Sequence, residues 1–186
     1  MNKLTRWLIP LGVLGLIPVA MAQDALQDHP GFVDFSALTA MMDSEPTVEI
    51  SLKEPLLAMV TNLIRAEDQE AADFISKLLR VTVNVFRSEA AEVDEVAATM
   101  ENIAGDLEQE GWERVVRVRE DQDHVDIYVR MSGDAQLIHG IAIMVAEPNE
   151  TVLVNIVGDI SGNDLAALGR RFDIDALTGI DIEAAN

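Results

Sequence analysis

From residue 112 onward apolar and polar positions alternate in four runs, near 112–120, 124–131, 137–146 and 151–158. A period of two is that of strands with one buried face, and four such runs in succession predict an antiparallel meander. A tight turn near Asp121 and Gln122 sets Val118 opposite Val125, Val116 opposite Ile127 and Trp112 opposite Met131. The same register sets Arg117 against Asp126, Glu113 against Arg130 and Val115 against Tyr128, so apolar pairs share one face and opposite charges the other. The last hairpin turns at Glu147-Pro148-Asn149-Glu150 and pairs Val145 with Val152, Ile143 with Val154 and Ile141 with Ile156. We expect these valines and isoleucines to line the core. The opposite face of that hairpin carries Ala142, Met144, Ala146, Leu153 and Val157, and needs a cover: the N-terminal segment, the C-terminal tail or a second subunit.

The N-terminal half reads differently. Thr47 to Leu52 alternates like a half-buried strand, and Val81, Val83 and Val85 mark a second. Between them, Pro55 opens a helix with Leu56, Val60, Leu63 and Ile64 at helical spacing, and Asp68 caps another bearing Ala71, Phe74, Ile75 and Leu78. Ser88 is positioned to cap a longer helix whose stripe is Val93, Val96, Ala97, Met100, Ile103, Ala104 and Leu107, ended by Gly111 in a left-handed conformation. Ser161 or Asn163 caps a short helix bearing Leu165, Leu168 and Phe172. These elements predict an α+β fold: a two-layer sandwich of a mixed, mainly antiparallel sheet with helices on one face. If they share the sheet, the first strand, helix and second strand would form a right-handed parallel crossover.

The first 22 residues follow another pattern, in which Lys3 and Arg6 precede an apolar run from Trp7 to Ala20 and the sequence Ala20-Met21-Ala22. That order predicts a secretory signal peptide cleaved after Ala22, and a periplasmic or secreted chain. A retained anchor fits less well, because the run is short and contains Pro10, Gly12, Gly15 and Pro18. The remaining organisation is a docking segment over 23–46, with Phe32, Phe35, Leu38 and Met42 about one helical turn apart, a single domain over 47–172 and an acidic tail over 173–186.

Charge narrows the partners. The net charge is −20, and removal of Lys3 and Arg6 with the signal takes it to −22. Such a chain repels nucleic acid and anionic lipid, and suits solubility or a basic partner. The absence of cysteine excludes disulfides, thiolate chemistry and thioether lipidation.

The strand and turn residues resemble an exported bacterial family known as domain of unknown function 4252. The likeness rests on His29-Pro30-Gly31-Phe32-Val33-Asp34, Val48-Glu49-Ile50-Ser51-Leu52, Gly111-Trp112-Glu113, and Glu147-Pro148 followed by Val154 to Ile160. The resemblance implies an envelope protein and brings no activity, cofactor or site residue. Many members look like lipoproteins; this chain lacks their cysteine.

Candidate chemistry is sparse. His29, His124 and His139 fall in three different elements without metal-ligand spacing, so neither a metal nor a cofactor is expected. Asp159, Ser161, Asn163 and Asp164 resemble a calcium loop, but Asp164 stands where glycine belongs and Arg170 where a bidentate Glu belongs. No Gly-x-Ser-x-Gly elbow or phosphate loop occurs. One anomaly is left: Arg117, Arg119, His124, Tyr128 and Arg130 gather on the presumed exposed face of the first hairpin. They form a ligand or partner patch for a carboxylate-bearing molecule, or simply cross-strand ion pairs. The leading expectation is a non-enzymatic exported binding or accessory protein. Its partner would be an envelope protein or a second copy on the outer face of the last hairpin. Alternatives are a small periplasmic enzyme with a carboxylate and arginine site between sheet and helices, and a structural homo-oligomer.

Overall fold

The computed structural model describes residues 25–164 apart from positions 43, 90 and 91. The predicted signal peptide, the predicted helix bearing Leu165, Leu168 and Phe172, and the C-terminal segment over 173–186 lie outside the described residues. Among the described residues no helix is long and apolar enough to cross a membrane.

The chain forms a six-stranded sheet of order β1-β2-β6-β5-β4-β3. The strands are β1 (Val48–Lys53), β2 (Leu78–Arg87), β3 (Glu113–Glu120), β4 (Asp123–Met131), β5 (Leu137–Glu147) and β6 (Glu150–Ser161). The four-strand meander and the α+β class are as the periodicity predicts. Every pairing is antiparallel, including β1 with β2, so the parallel crossover does not form. Lys53 ends β1 opposite Arg80 near the start of β2, and the helices α2 (Glu54–Ile64) and α3 (Gln69–Ile75) return the chain to the end it left. One helix would carry it across; two bring it back. Asp68 caps α3 by accepting the Ala71 amide at 3.0 Å.

The hairpin registers hold where they were read from the tight turns. Val118 faces Val125, Arg117 faces Asp126 and Val116 faces Ile127. A bulge between Arg114 and Val116 then shifts the pairing, so Arg114, not Val115, faces Tyr128, and Glu113 meets Val129 instead of Arg130. The last hairpin keeps its register through Ile141 and Ile156.

The core lies on the face opposite to the expected one. The helices α1 (Ser36–Met41) and α4 (Val93–Gln109) cover the face bearing Tyr128, Ala142, Met144, Ala146 and Leu153, all fully buried. Every member of the α4 stripe is buried there. Val116 is 37% exposed, and Ile127 and Ile143 are only half-buried. Small residues at 140, 142 and 146 let covering segments come close, and the acids flanking the α4 stripe have arginines on this face to meet. Alternation separates the two faces of a strand without saying which one a helix takes. On the other face α2 and α3 pack only at one end, where Leu57, Phe74 and Ile75 meet Leu52, Val81, Ile156 and Ile160.

The α4 helix begins at Val93, and Ser88 does not cap it: the Ser88 and Thr151 hydroxyls share a hydrogen bond of 2.7 Å. Gly111 closes the helix with φ of +85°, where a side chain would strain the backbone.

Candidate functional site

The predicted patch residues all lie on β3 and β4, but on the face that α4 covers. Arg117 and Arg119 both pair with Glu101 of α4, Arg119 at 2.8 Å. Arg119 also reaches Asp126 at 2.5 Å, and the Asp126 side chain is fully buried. Its second oxygen, Oδ1, is buried without a hydrogen-bond partner among the described residues. The Arg119 hydrogen bond holds Glu101 below the usual carboxylate range; burial opposes it, and the Arg117 and Arg119 charges help to outweigh burial. Burial disfavours the Arg119 charge, but Asp126 and Glu101 together raise its pKa.

Tyr128 sits one turn of the pleat further along. Its hydroxyl accepts from Arg114 at 3.1 Å and donates to Glu108 of α4 at 3.4 Å. The Arg114 guanidinium lies 5.8 Å from the Tyr128 ring centre. Burial pushes the Tyr128 phenol up, countered in part by Arg114 and reinforced by Asp126 and Glu108. Arg130 donates to the Gly111 and Met131 carbonyls, each at 3.1 Å, and so fastens the end of α4. His124 has a buried Nδ1 with no partner among the described residues. The five residues therefore form the polar seam between sheet and helix rather than an open patch.

A second constellation was not foreseen. Its scaffold is the strap formed by the 3-10 turn η1 (Ala25–Asp28) and the following residues to Asp34. Asn155 of β6 clamps the strap: its Oδ1 accepts the Val33 amide at 3.1 Å, and its Nδ2 donates to Gly31 O at 3.0 Å. Glycine is required where strap and β5 touch, because a Cβ at Gly31 would overlap the His139 carbonyl and one at Gly140 would overlap Gly31. This approach sets His29 edge-on to His139, with ring centres 5.7 Å apart and planes at 84°. His139 Nδ1 lies 2.8 Å from Asp159 Oδ1. The expectation that the histidines stay apart thus fails for two of the three. A signal was present in the sequence, since each of these histidines stands within two residues of a contact glycine.

Burial holds the His29 ring below the ordinary histidine range, with Asp159 opposing the shift and His139 adding to it. His29 also lines a cleft of about 590 Å³ between strap and α4, together with Asp28, Asp106 and Glu110.

The third feature is the sheet face that α1 and α4 leave free. One row across all strands reads Val48, Val85, Val152, Val145, Val125 and Val118. The next reads Ile50, Val83, Val154, Ile143, Ile127 and Val116. All twelve are apolar, and the four at the sheet edges are 37–44% exposed. Alternation places Glu120, Asp123, Glu147 and Glu150, with Arg87 opposite Glu150, on the same face just beyond the valine row, and all five are exposed.

Residues 41–168 match the family model of a domain of unknown function, DUF4252, and the chain belongs to that family. The match begins after the strap, so His29 and Gly31 stand outside it. No curated protein and no solved structure matches the chain.

Proposed function

We propose that this member of the DUF4252 family is a non-enzymatic, exported binding or accessory protein of the bacterial envelope that docks a protein partner on the free face of its sheet. The observation that carries this reading is the pair of apolar rows spanning six strands with no described helix above them. At about 4.8 Å between strands and about 6.8 Å along them, twelve positions make a flat area of about 400 Å². That is the size of the largest apolar patch on a typical monomer, roughly 300–600 Å², which is often a functional surface. Along that edge the four acids Glu120, Asp123, Glu147 and Glu150 outnumber Arg87, which favours a partner whose apolar surface is bordered by Lys or Arg.

Photo-crosslinking in the producing cell tests this reading, with the photoreactive residue at Val118 or Ile143. A discrete adduct with a second protein, mapped to an apolar segment flanked by basic residues and lost in Val154→Lys, supports it. An adduct of two copies of the chain establishes the homo-oligomer instead. A link only to residues 165–186 shows that the chain covers its own face, and overturns the proposal.

The enzymatic alternative is favoured by one observation, the buried Asp126 carboxylate beside Arg119 with a free Oδ1. The seam is closed by α4, however, and the 590 Å³ cleft is lined by Ile103, Asp106, Leu107 and Glu110 rather than by Asp126. Turnover of a substrate panel, lost in Asp126→Asn, would establish that alternative.

A further inference from the structure

We propose that His29, His139 and Asp159 form a binding site for one first-row divalent cation of the zinc class. Each residue offers a donor atom that lies within 4.8 Å of the donors of the other two. Donors around one zinc ion, bonded at about 2.0–2.2 Å, stand roughly 3.0–3.5 Å apart, so a shift of an ångström or so closes the set. Two imidazoles with one carboxylate suit the borderline metals rather than calcium or magnesium, which prefer oxygen alone.

The scaffold is preorganised. Asn155 and the Gly31–Gly140 contact fix the strap that carries His29. His139 stands in the irregularity of the β5–β6 ladder between Ile138 and Gly140, which turns it toward Asp159 near the end of β6. The 2.8 Å contact between Asp159 Oδ1 and His139 Nδ1 already sets two of the donors side by side, and a cation between them takes the place of the proton they share. Asp159 is 54% exposed, so its carboxylate can adjust to the cation. Two imidazoles and a carboxylate leave a fourth position open to water or to a partner's donor.

The cation-free state holds a contact that binding must exchange. The Gly31 amide donates to His29 Nδ1 at 3.1 Å, so the neutral ring carries its proton on Nε2. A cation at Nε2 requires the other tautomer, with the proton on Nδ1, and releases the Gly31 amide. A cation at Nδ1 displaces that amide directly. The Gly31 amide therefore reports occupancy whichever nitrogen binds. The site is independent of the docking face and stands or falls without it.

Zinc titration of the purified, metal-free protein, followed by equilibrium dialysis and by the Gly31 amide resonance, decides the matter. The expected result is one equivalent bound saturably with a displaced Gly31 signal. His29→Ala, His139→Ala and Asp159→Asn each weaken it by about tenfold or more, and His124→Ala leaves it unchanged. Uptake that is equal in the parent and in the His29→Ala/His139→Ala variant is adsorption to surface carboxylates and overturns the site. So does saturable binding with an unmoved Gly31 resonance. Should the histidine variants fail to fold, exposed Asp159→Asn and the parent's Gly31 signal carry the test.

Discussion

The Arg119 guanidinium stands 2.5 Å from the fully buried carboxylate of Asp126, beneath a helix that contributes Glu101 to the same arginine. Removing one partner of such a pair strands a desolvated charge, whereas removing both does not. Arg119→Ala should therefore destabilise the fold by about 3 kcal/mol. Arg119→Ala combined with Asp126→Asn should recover a large part of that loss in urea unfolding. A double variant no more stable than Arg119→Ala would show that the pair is not coupled.

Asn155 makes its two hydrogen bonds to strap backbone from a 3% exposed position. Asn155→Ala leaves the Val33 amide and Gly31 carbonyl without those partners, at a cost of about 2 kcal/mol. The strap should then detach before the sheet unfolds, seen as faster hydrogen exchange over 31–35 with β5 and β6 unchanged.

Acidification acts on Glu101 and Asp164. Burial alone would raise the Asp164 carboxyl, but Lys77 at 2.5 Å and the Ser161 hydroxyl and amide outweigh it and lower the pKa. A folded-state pKa below the unfolded one gives stability that is present above the ordinary values of 4.5 for Glu101 and 3.8 for Asp164. That stability is lost as pH falls through the lowered values. The urea midpoint should drop between pH 5 and pH 3, and Asp164→Asn should drop less than the parent; an equal drop contradicts this assignment.

Strand positions and turns were legible because opposed pairs such as Arg117 with Asp126 and Val145 with Val152 constrain a register jointly. The bulge at Arg114 was not, since one inserted residue leaves the local alternation almost intact. The choice of face was not legible either. Ala142, Met144 and Ala146 on one side and Ile141, Ile143 and Val145 on the other are both apolar, and the deciding contacts come from residues far along the chain: Glu101 and Glu108 on the helix, His29 and Gly31 on the strap. The meeting of His29 with His139 depends on a backbone contact between glycines 31 and 140, which no local period encodes.

A charge introduced on the free face should spare the fold and change only association. Ile143→Lys adds a charge to a half-buried site among Ile127, Val145 and Val154, and should cost no more than about 2 kcal/mol. Ala146→Lys, on the fully buried helix-covered face, should prevent folding. Circular dichroism of the two variants separates these outcomes, and a folded Ala146→Lys protein would reverse the assignment of the faces.

Among the described residues one sheet face is sealed and the other is open beyond the end that α2 and α3 cover, and a chain without cysteine allows each position to be probed in turn. Single cysteines at Val83, Val118 and Ile143, compared with Ala146 and Leu153, can be challenged with a thiol reagent under native conditions. Rapid labelling is expected at the first three positions and none at the last two until the protein unfolds. Protection at Val83, Val118 and Ile143 equal to that at Ala146 would contradict it.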